Sequence, residues 1–445
     1  MSAGKKYSVS PKIVLAGQET IITFFLPPDR PAEAAGAAEP AYRLLHIALQ
    51  QSGGALNRDA AVPVTWNADG TLSARILFAG EQEHQLRLYA GEADYDQPAA
   101  VLTVYSVEAD LYARTPYKGD LHMHSCRSDG LDTPAHVAAA CRRIGLDFMA
   151  LTDHGQYAPS IEAQEAFAHA AVDLRIFRGE EVHAPDNPLH IINFGGCFSI
   201  NTLFKQPGFS DEIAQRVQRT GSLPPGVDRY QYAVSTWIFD QIRRAGGLGI
   251  YCHPYWFWPQ QNGRQGYYIN EPLISHLFDT QPYDALELLG GYHLYEADSN
   301  ILQVARYQDE RAKGRAIPIV GVSDAHGCET GKLFGWFYTL VFAAGSDLPD
   351  LIAGIKGLYS VAIEALPNEV VRVYGPFRLV KFALFLLREV FPEHDALCAE
   401  EGRAMLAMIG EKDPGDSRSA EQAAEWLQTA QGRAPDYINQ AYGRK

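Results

Sequence analysis

Asp120-Leu-His-Met-His-Ser-Cys-Arg-Ser-Asp-Gly130 sets two histidines two residues apart, directly after a strand start near Tyr117. In extended backbone, positions i and i+2 project to one face, so His122 and His124 can reach the same metal ion. Asp129 stands in Ser128-Asp-Gly130, where a turn would aim its carboxylate back at the pair. Downstream, the same residue types recur behind apolar runs. Phe148 to Thr152 leads into Asp153-His154, and the run from Arg175 ends in Glu181. Leu248 to Cys252 ends in His253-Pro254, and Ile317 to Ser323 ends in Asp324-Ala-His326. These positions fall at the C-terminal ends of predicted strands, the rim on which β/α-barrel enzymes carry their chemistry. His190 departs from the pattern, since it opens the apolar run His190 to Phe194.

Around these residues strands alternate with helices. Arg175 to Phe177 and Ala285 to Leu289 are further strand candidates. Pro134 to Ile144, Ile161 to His169, Val234 to Ala245 and Ile301 to Lys313 have helical patterning. Residues 117–366 thus read as an α/β region whose length, about 250 residues, suits a closed β/α barrel. Residues 1–116 are β-rich. Thr20 to Phe25, His46 to Leu49, Val62 to Trp66, Leu72 to Phe78, His84 to Tyr89 and Ala100 to Val107 predict a small sandwich, with a hairpin turn at Asn67-Ala-Asp-Gly70. Residues 367–445 read as a helical extension, in which Ser419-Ala-Glu-Gln422 matches a capping box.

Composition narrows the function classes. The 445 residues carry 38 Lys plus Arg against 53 Asp plus Glu, a formal charge of −15. That field repels a phosphate backbone, so a long nucleic acid is not an expected partner. No run is apolar and long enough to span a bilayer; Phe377 to Phe391 is interrupted by Arg378, Lys381 and Arg388. No leader with an apolar core is seen at the start. Six scattered cysteines form no CxxC pair and suit free thiols in a reducing compartment, which predicts a cytoplasmic protein.

Mixed imidazole and carboxylate donors suit Zn, Mn or Fe, and a bridging carboxylate suits two or three adjacent ions. His46, His84, His136, His169, His276 and His394 lie outside this pattern and are read as ordinary core or surface histidines. The set DLHMHSCRSDG, LTDH, GEE, LHIINFG, CHP and VSDAH, in this order between residues 120 and 326, resembles the PHP (polymerase and histidinol phosphatase) domain family. The resemblance covers about half of the chain. It implies a distorted (β/α)7 TIM-like barrel and a trinuclear metal site. By resemblance, one ion would take His122, His124, Glu181 and Asp324, with Glu181 bridging to a second ion that also takes His190 and His253. A third would take Asp129, His154 and His326. Asp129 stands where some members have histidine, which leaves Mn, Fe and Zn all open. Glu180 is an alternative bridge, but the family's G-x-E spacing, counted from Gly179, favours Glu181, and His183 is read as lying behind the ligands.

Clustered divalent ions make hydroxide available near neutral pH and neutralise phosphoryl oxygens. The expected activity is therefore hydrolysis of a small phosphorylated molecule by a metal-bound hydroxide, with Asp324, Glu181 and His326 central to catalysis. A nuclease acting on short oligonucleotides and a non-catalytic metal-binding scaffold are the alternatives. Arg127, Lys332 and His293 are candidate phosphate or leaving-group contacts. Tyr255 and Trp256, with Tyr267 and Tyr268, are candidates for a rim that stacks on substrate. Cys126 and Cys252 adjoin ligands and are read as small buried residues, and Glu287 as a carboxylate behind the histidines.

Overall fold

A computed structural model describes residues 7–27, 41–50, 61–91, 97–259, 265–291, 297–329, 331–411, 413 and 416–444. Packing divides the chain into two compact units. One is Met1–Thr115 with Lys381–His394 and Gly432–Lys445; the other is Pro116–Val380 with Asp395–Gln431. The helical segments after residue 367 contribute to both.

In the first unit, alternation of buried and exposed side chains makes strands with one apolar face. Leu72, Ala74 and Ile76 of Leu72–Leu77 are buried, while Arg75 and Leu77 are exposed. A four-stranded sheet runs Ser8–Ser10, Glu19–Phe25, Leu72–Leu77, Thr65–Trp66. A five-stranded sheet runs Ile13–Leu15, Ala100–Val107, Gln82–Ala90, Tyr42–Ala48, Ala61–Val62. Ile22, Phe24 and Ile76 of the first share one core with Leu44, Leu86 and Val104 of the second. The predicted Asn67-to-Gly70 turn is present, with Asn67 donating to Thr71 O at 2.9 Å.

The second unit is α/β. A six-stranded sheet has the order Arg175–Phe177, Phe148–Ala150, Thr115–Asp120, Phe337–Ala343, Ser360–Glu364, Arg372–Tyr374. A five-stranded sheet has the order Gly179–His183, His190–Phe194, Leu248–Tyr251, Ala285–Leu289, Ile319–Gly321. Leu121, Phe148 and Ala150 pack with Ile192, Ile250, Ala285 and Val320 in a core that both sheets line. Helices begin where the sequence supplies caps. Thr133 Oγ1 accepts from His136 N at 3.2 Å ahead of Pro134–Arg143, and Asp228 accepts from Gln231 N at 2.9 Å ahead of Arg229–Arg244. The capping box at Ser419 and Gln422 starts Ala420–Ala430.

Among the described residues, neither sheet closes on itself, so the strand ladders do not form the closed barrel that the sequence led us to expect. The isolated backbone bridges between the sheets, among the described residues, are Met123 with Ala325 and His154 with Glu181. The physical reason lies in the strand ends. Phe148–Ala150 and Ile319–Gly321 are three residues long, and beyond them the chain leaves strand geometry. Asp324, with φ of 51°, is already in the left-handed region. No helix among the described residues is long and apolar enough to cross a membrane.

Candidate metal centre

The bridges that join the two sheets also carry the polar cluster. Asp324 N donates to His122 O and His124 N donates to Ala325 O, both at 2.9 Å, so the segments after Asp120 and Gly321 run side by side. Pleating points His122 and His124 the same way, onto Asp324 Oδ1, at 3.2 and 3.0 Å from their Nε2 atoms. A left-handed residue in a packed site is strain that the surroundings must hold, and the two histidines and the backbone bond hold it here.

Glu181 is the hub. It is fully buried, and its carboxylate lies 3.7 Å from His122 Nε2, 3.7 Å from His124 Nε2, 2.8 Å from His190 Nδ1 and 3.6 Å from His253 Nε2. It also contacts His154 Nδ1. Glu180, one residue earlier, projects to the opposite face, where it accepts from Asn193 Nδ2 at 3.1 Å and from Ser199 Oγ and Asn201 Nδ2 at 2.8 Å. Strand alternation separates the two glutamates. Antiparallel pairing places His183 opposite His190 and thereby brings His190, at the start of its strand, beside Glu181. Asp129 Oδ2 lies 3.4 Å from His154 Nε2, and Asp129 Oδ1 lies 3.3 Å from His326 Nε2.

All nine side chains singled out as ligands therefore converge. Ligand atoms of His124, Asp129, His154 and His326 lie within 4.8 Å of one another, as do those of His122, Glu181 and His253, and those of His122, His124 and Asp324. Buried polar atoms normally find hydrogen-bond partners. Here His122 Nε2, His124 Nδ1, His190 Nδ1 and both Glu181 oxygens are buried without one. Nitrogen and oxygen lone pairs turned toward one another in this way suit bound cations, so the residues present fit divalent metal.

The electrostatics agree with that donor set. Burial alone would raise the Asp324 carboxyl, but the facing His122 charge and the hydrogen bond from His124 hold it well below the usual range. Burial would likewise raise Glu181, and His190 and His122 outweigh it. His190 is lowered to about 4 by burial. Asp120, buried beneath the site, is raised to about 7 by burial against the pull of hydrogen bonds from Ser323.

Several supporting residues are visible only in three dimensions. Asp153 precedes His154 but faces away from it. Its carboxylate accepts from Ser125 N and Ser128 N at 3.0 Å and from both serine hydroxyls, which shapes the turn that carries Asp129. A Cβ on Gly130 would lie 2.5 Å from His124 O, so that turn closes against the strand only with glycine. Glu287 lies 3.0 Å from His122 Nδ1, behind the site as expected. His183 is closer than expected, with Nε2 2.9 Å from His154 Nδ1 and 3.3 Å from Glu181 Oε2. Cys252 is fully buried beside His122 and Glu287, as expected, whereas Cys126, expected to be buried too, is exposed on the turn.

The substrate candidates separate. Trp256 lies 5.8 Å from the His253 ring and 6.3 Å from His190, and Tyr268 lies 5.7 Å from His190. Tyr255 is 6% exposed and belongs to the apolar core, not to a rim. Arg127 is held in a two-point pair with Glu162, at 2.9 and 2.7 Å. Lys332 is exposed, and its N–H donates to Glu329 O. His293 lies outside the described residues.

Residues 120–196 match the model of the PHP domain. A 53-residue stretch is 47% identical to DNA polymerase/3'-5' exonuclease PolX of Bacillus subtilis (strain 168), covering 12% of this chain and 9% of that protein. A 102-residue stretch is 28% identical to 5'-3' exoribonuclease Rnm of Salmonella typhimurium (strain LT2), covering 22% of this chain and 33% of that protein. The chain thus spans a third or less of these curated relatives. A solved two-domain protein of Bacteroides vulgatus ATCC 8482, described as containing a predicted PHP-like metal-dependent phosphoesterase, aligns with a TM-score of 0.39 at 19% identity, over 56% of this chain and 65% of its own. His122, His124, Asp129, His154, Glu181 and His190 fall inside the segment that matches the PHP domain model, and His253, Asp324 and His326 lie beyond it.

Proposed function

We propose that the chain is a metal-dependent phosphoesterase that hydrolyses a small phosphorylated molecule at a site for three divalent ions, Mn, Fe or Zn. The observation that carries this reading is the set of buried, unpartnered nitrogen and oxygen atoms inside a nine-residue cluster, six of whose members fall in the segment that matches the PHP domain model. His122, His124, Glu181 and Asp324 would hold one ion, Glu181 with His190 and His253 a second, and Asp129, His154 and His326 a third; the short distances within each set support the division. When bound, such ions supply a hydroxide near neutral pH and offset charge on phosphoryl oxygens.

The remaining work falls to the protein's own side chains. Glu287 fixes the His122 ring through Nδ1, which leaves Nε2 facing the site. Asp129, His154 and His326 are 56%, 29% and 36% exposed, against full burial of Glu181 and His122, so the ester would enter on their side. Asp324 and Glu181 are then the anchoring carboxylates, and His326 is the ring closest to an entering substrate. Trp256 and Tyr268 flank the His190 and His253 side and would contact the leaving group. The two bridges between sheets support a distorted seven-strand ring: Thr115–Asp120, Phe148–Ala150, Gly179–His183, His190–Phe194, Leu248–Tyr251, Ala285–Leu289 and Ile319–Gly321. Six scattered cysteines with no CxxC pair support a reducing, cytoplasmic setting.

A second reading, an exonuclease acting on short oligonucleotides, is favoured by the names of the two curated relatives. One experiment separates the two. Phosphate release by manganese-loaded protein is measured over a panel of mono- and diesters and short oligonucleotides, with Asp324→Ala as control. Turnover of small esters that the variant lacks is the expected result. Turnover of oligonucleotides alone moves the second reading forward, and no turnover on any ester by metal-loaded protein overturns both.

A further inference from the structure

Outside the nine-residue cluster, Asp132, His136 and Cys328 bring one oxygen, one nitrogen and one sulfur within 4.8 Å of one another. All three are partly buried. The sequence reading treats His136 as an ordinary histidine and assigns Asp132 and Cys328 nothing. Carboxylate, imidazole and thiol together form a donor set of the kind zinc accepts, with borderline and soft atoms that magnesium and calcium do not favour.

Two further observations point the same way. Glu411 pairs with His136 Nδ1. A carboxylate on one imidazole nitrogen is how metal-ligating histidines are oriented, with the other nitrogen left for the ion. The backbone around the three residues is also preorganised. Cys328 N donates to Asp132 Oδ2 at 2.7 Å, the Cys328 thiol is hydrogen-bonded to the same carboxylate, and Cys126 N donates to Asp132 O at 2.8 Å. Thr133 caps the helix that carries His136.

We propose that Asp132, His136 and Cys328 form a separate mononuclear zinc site, with solvent in the fourth position and Glu411 orienting His136. Its role follows from its place. Asp132 is three residues beyond Asp129, and Cys328 is two beyond His326. Leu131 N already donates to His326 O at 2.9 Å. An ion here ties together the two loops that carry the most exposed donors of the neighbouring centre. It is a structural site and takes no part in bond breaking.

Sulfur makes the test specific, because none of the nine candidate ligands contains it. Full-length protein is loaded with cobalt(II), and the near-ultraviolet thiolate-to-metal charge-transfer absorption is recorded together with zinc content of the purified protein. The absorption is expected in wild type and in Cys252→Ser, and absent in Cys328→Ser, which also loses one zinc equivalent per chain. Glu411→Gln keeps every ligand atom and should weaken zinc binding about 10- to 100-fold; it serves if Cys328→Ser does not fold. Absence of the absorption in cobalt-saturated wild type overturns the proposal. So does its survival in Cys328→Ser, its loss in Cys252→Ser alone, or unchanged zinc affinity in Glu411→Gln.

Discussion

Glu181 shows how one side chain can organise a site. Six histidines, 122, 124, 154, 183, 190 and 253, reach its two oxygens, and no hydrogen bond satisfies either oxygen. Glu181→Gln keeps the shape and removes the charge. It should lower hydrolysis at least about 100-fold, as loss of one preorganised electrostatic contact does, and should lower bound metal as well. Phosphate release together with metal analysis checks this; full activity with unchanged metal content would remove Glu181 from the centre. The resemblance already favoured Glu181 over Glu180, through the family's spacing from Gly179, and the strand gives the distinction a physical reason. Adjacent residues face opposite sides, and Asn193, Ser199 and Asn201 wait on the Glu180 side. The positions of Tyr255 and Arg127 were not legible in the same way. Proximity in sequence to His253 and His124 says nothing about which side chain turns into the core or pairs with Glu162.

At the scale of elements, a strand pair in the first unit carries a pH dependence of its own. His84 on Gln82–Ala90 is fully buried, lies 2.9 Å from His46 on the neighbouring strand, and lies 2.7 Å from Ser106 Oγ. Burial, with the adjacent His46, lowers it to about 3. A folded-state value below the ordinary 6.5 means that the unfolded chain takes up the proton first as pH falls. Stability is therefore unaffected by His84 above about pH 6.5 and declines from there toward pH 3, by about 2 kcal/mol at pH 5. Urea unfolding at pH 7 and pH 5 measures the decline, and His84→Gln should flatten it. An equal decline in the variant would assign the effect to other groups. Element positions were largely legible: Arg175–Phe177, His190–Phe194, Leu248–Tyr251 and Ala285–Leu289 stand where their apolar runs predicted. Phe337–Ala343 and Ser360–Glu364 were not anticipated, and Gly179–His183 was read only as the end of a longer run.

For the whole molecule, the −15 charge is the property that acts at long range. Binding to a 30-nucleotide duplex at physiological salt should be no tighter than about 10⁻⁴ M, the weak end of non-specific association. Fluorescence anisotropy checks this; micromolar binding that weakens steeply with salt would show a basic track that net charge conceals. The sequence by itself determined which residue types recur behind apolar runs with metal-ligand chemistry, His190 excepted, and that a β-rich region precedes an α/β one. These are local matters of residue type, period and spacing. Only the tertiary structure decided how the strands pair into two sheets joined by single bridges, that His190 meets Glu181 across an antiparallel register, and that Asp132, His136 and Cys328 meet at all. Those outcomes depend on long-range register and on the few backbone positions, Asp324 and Gly130 among them, where the chain leaves regular geometry. No periodicity in one segment encodes its partner in another.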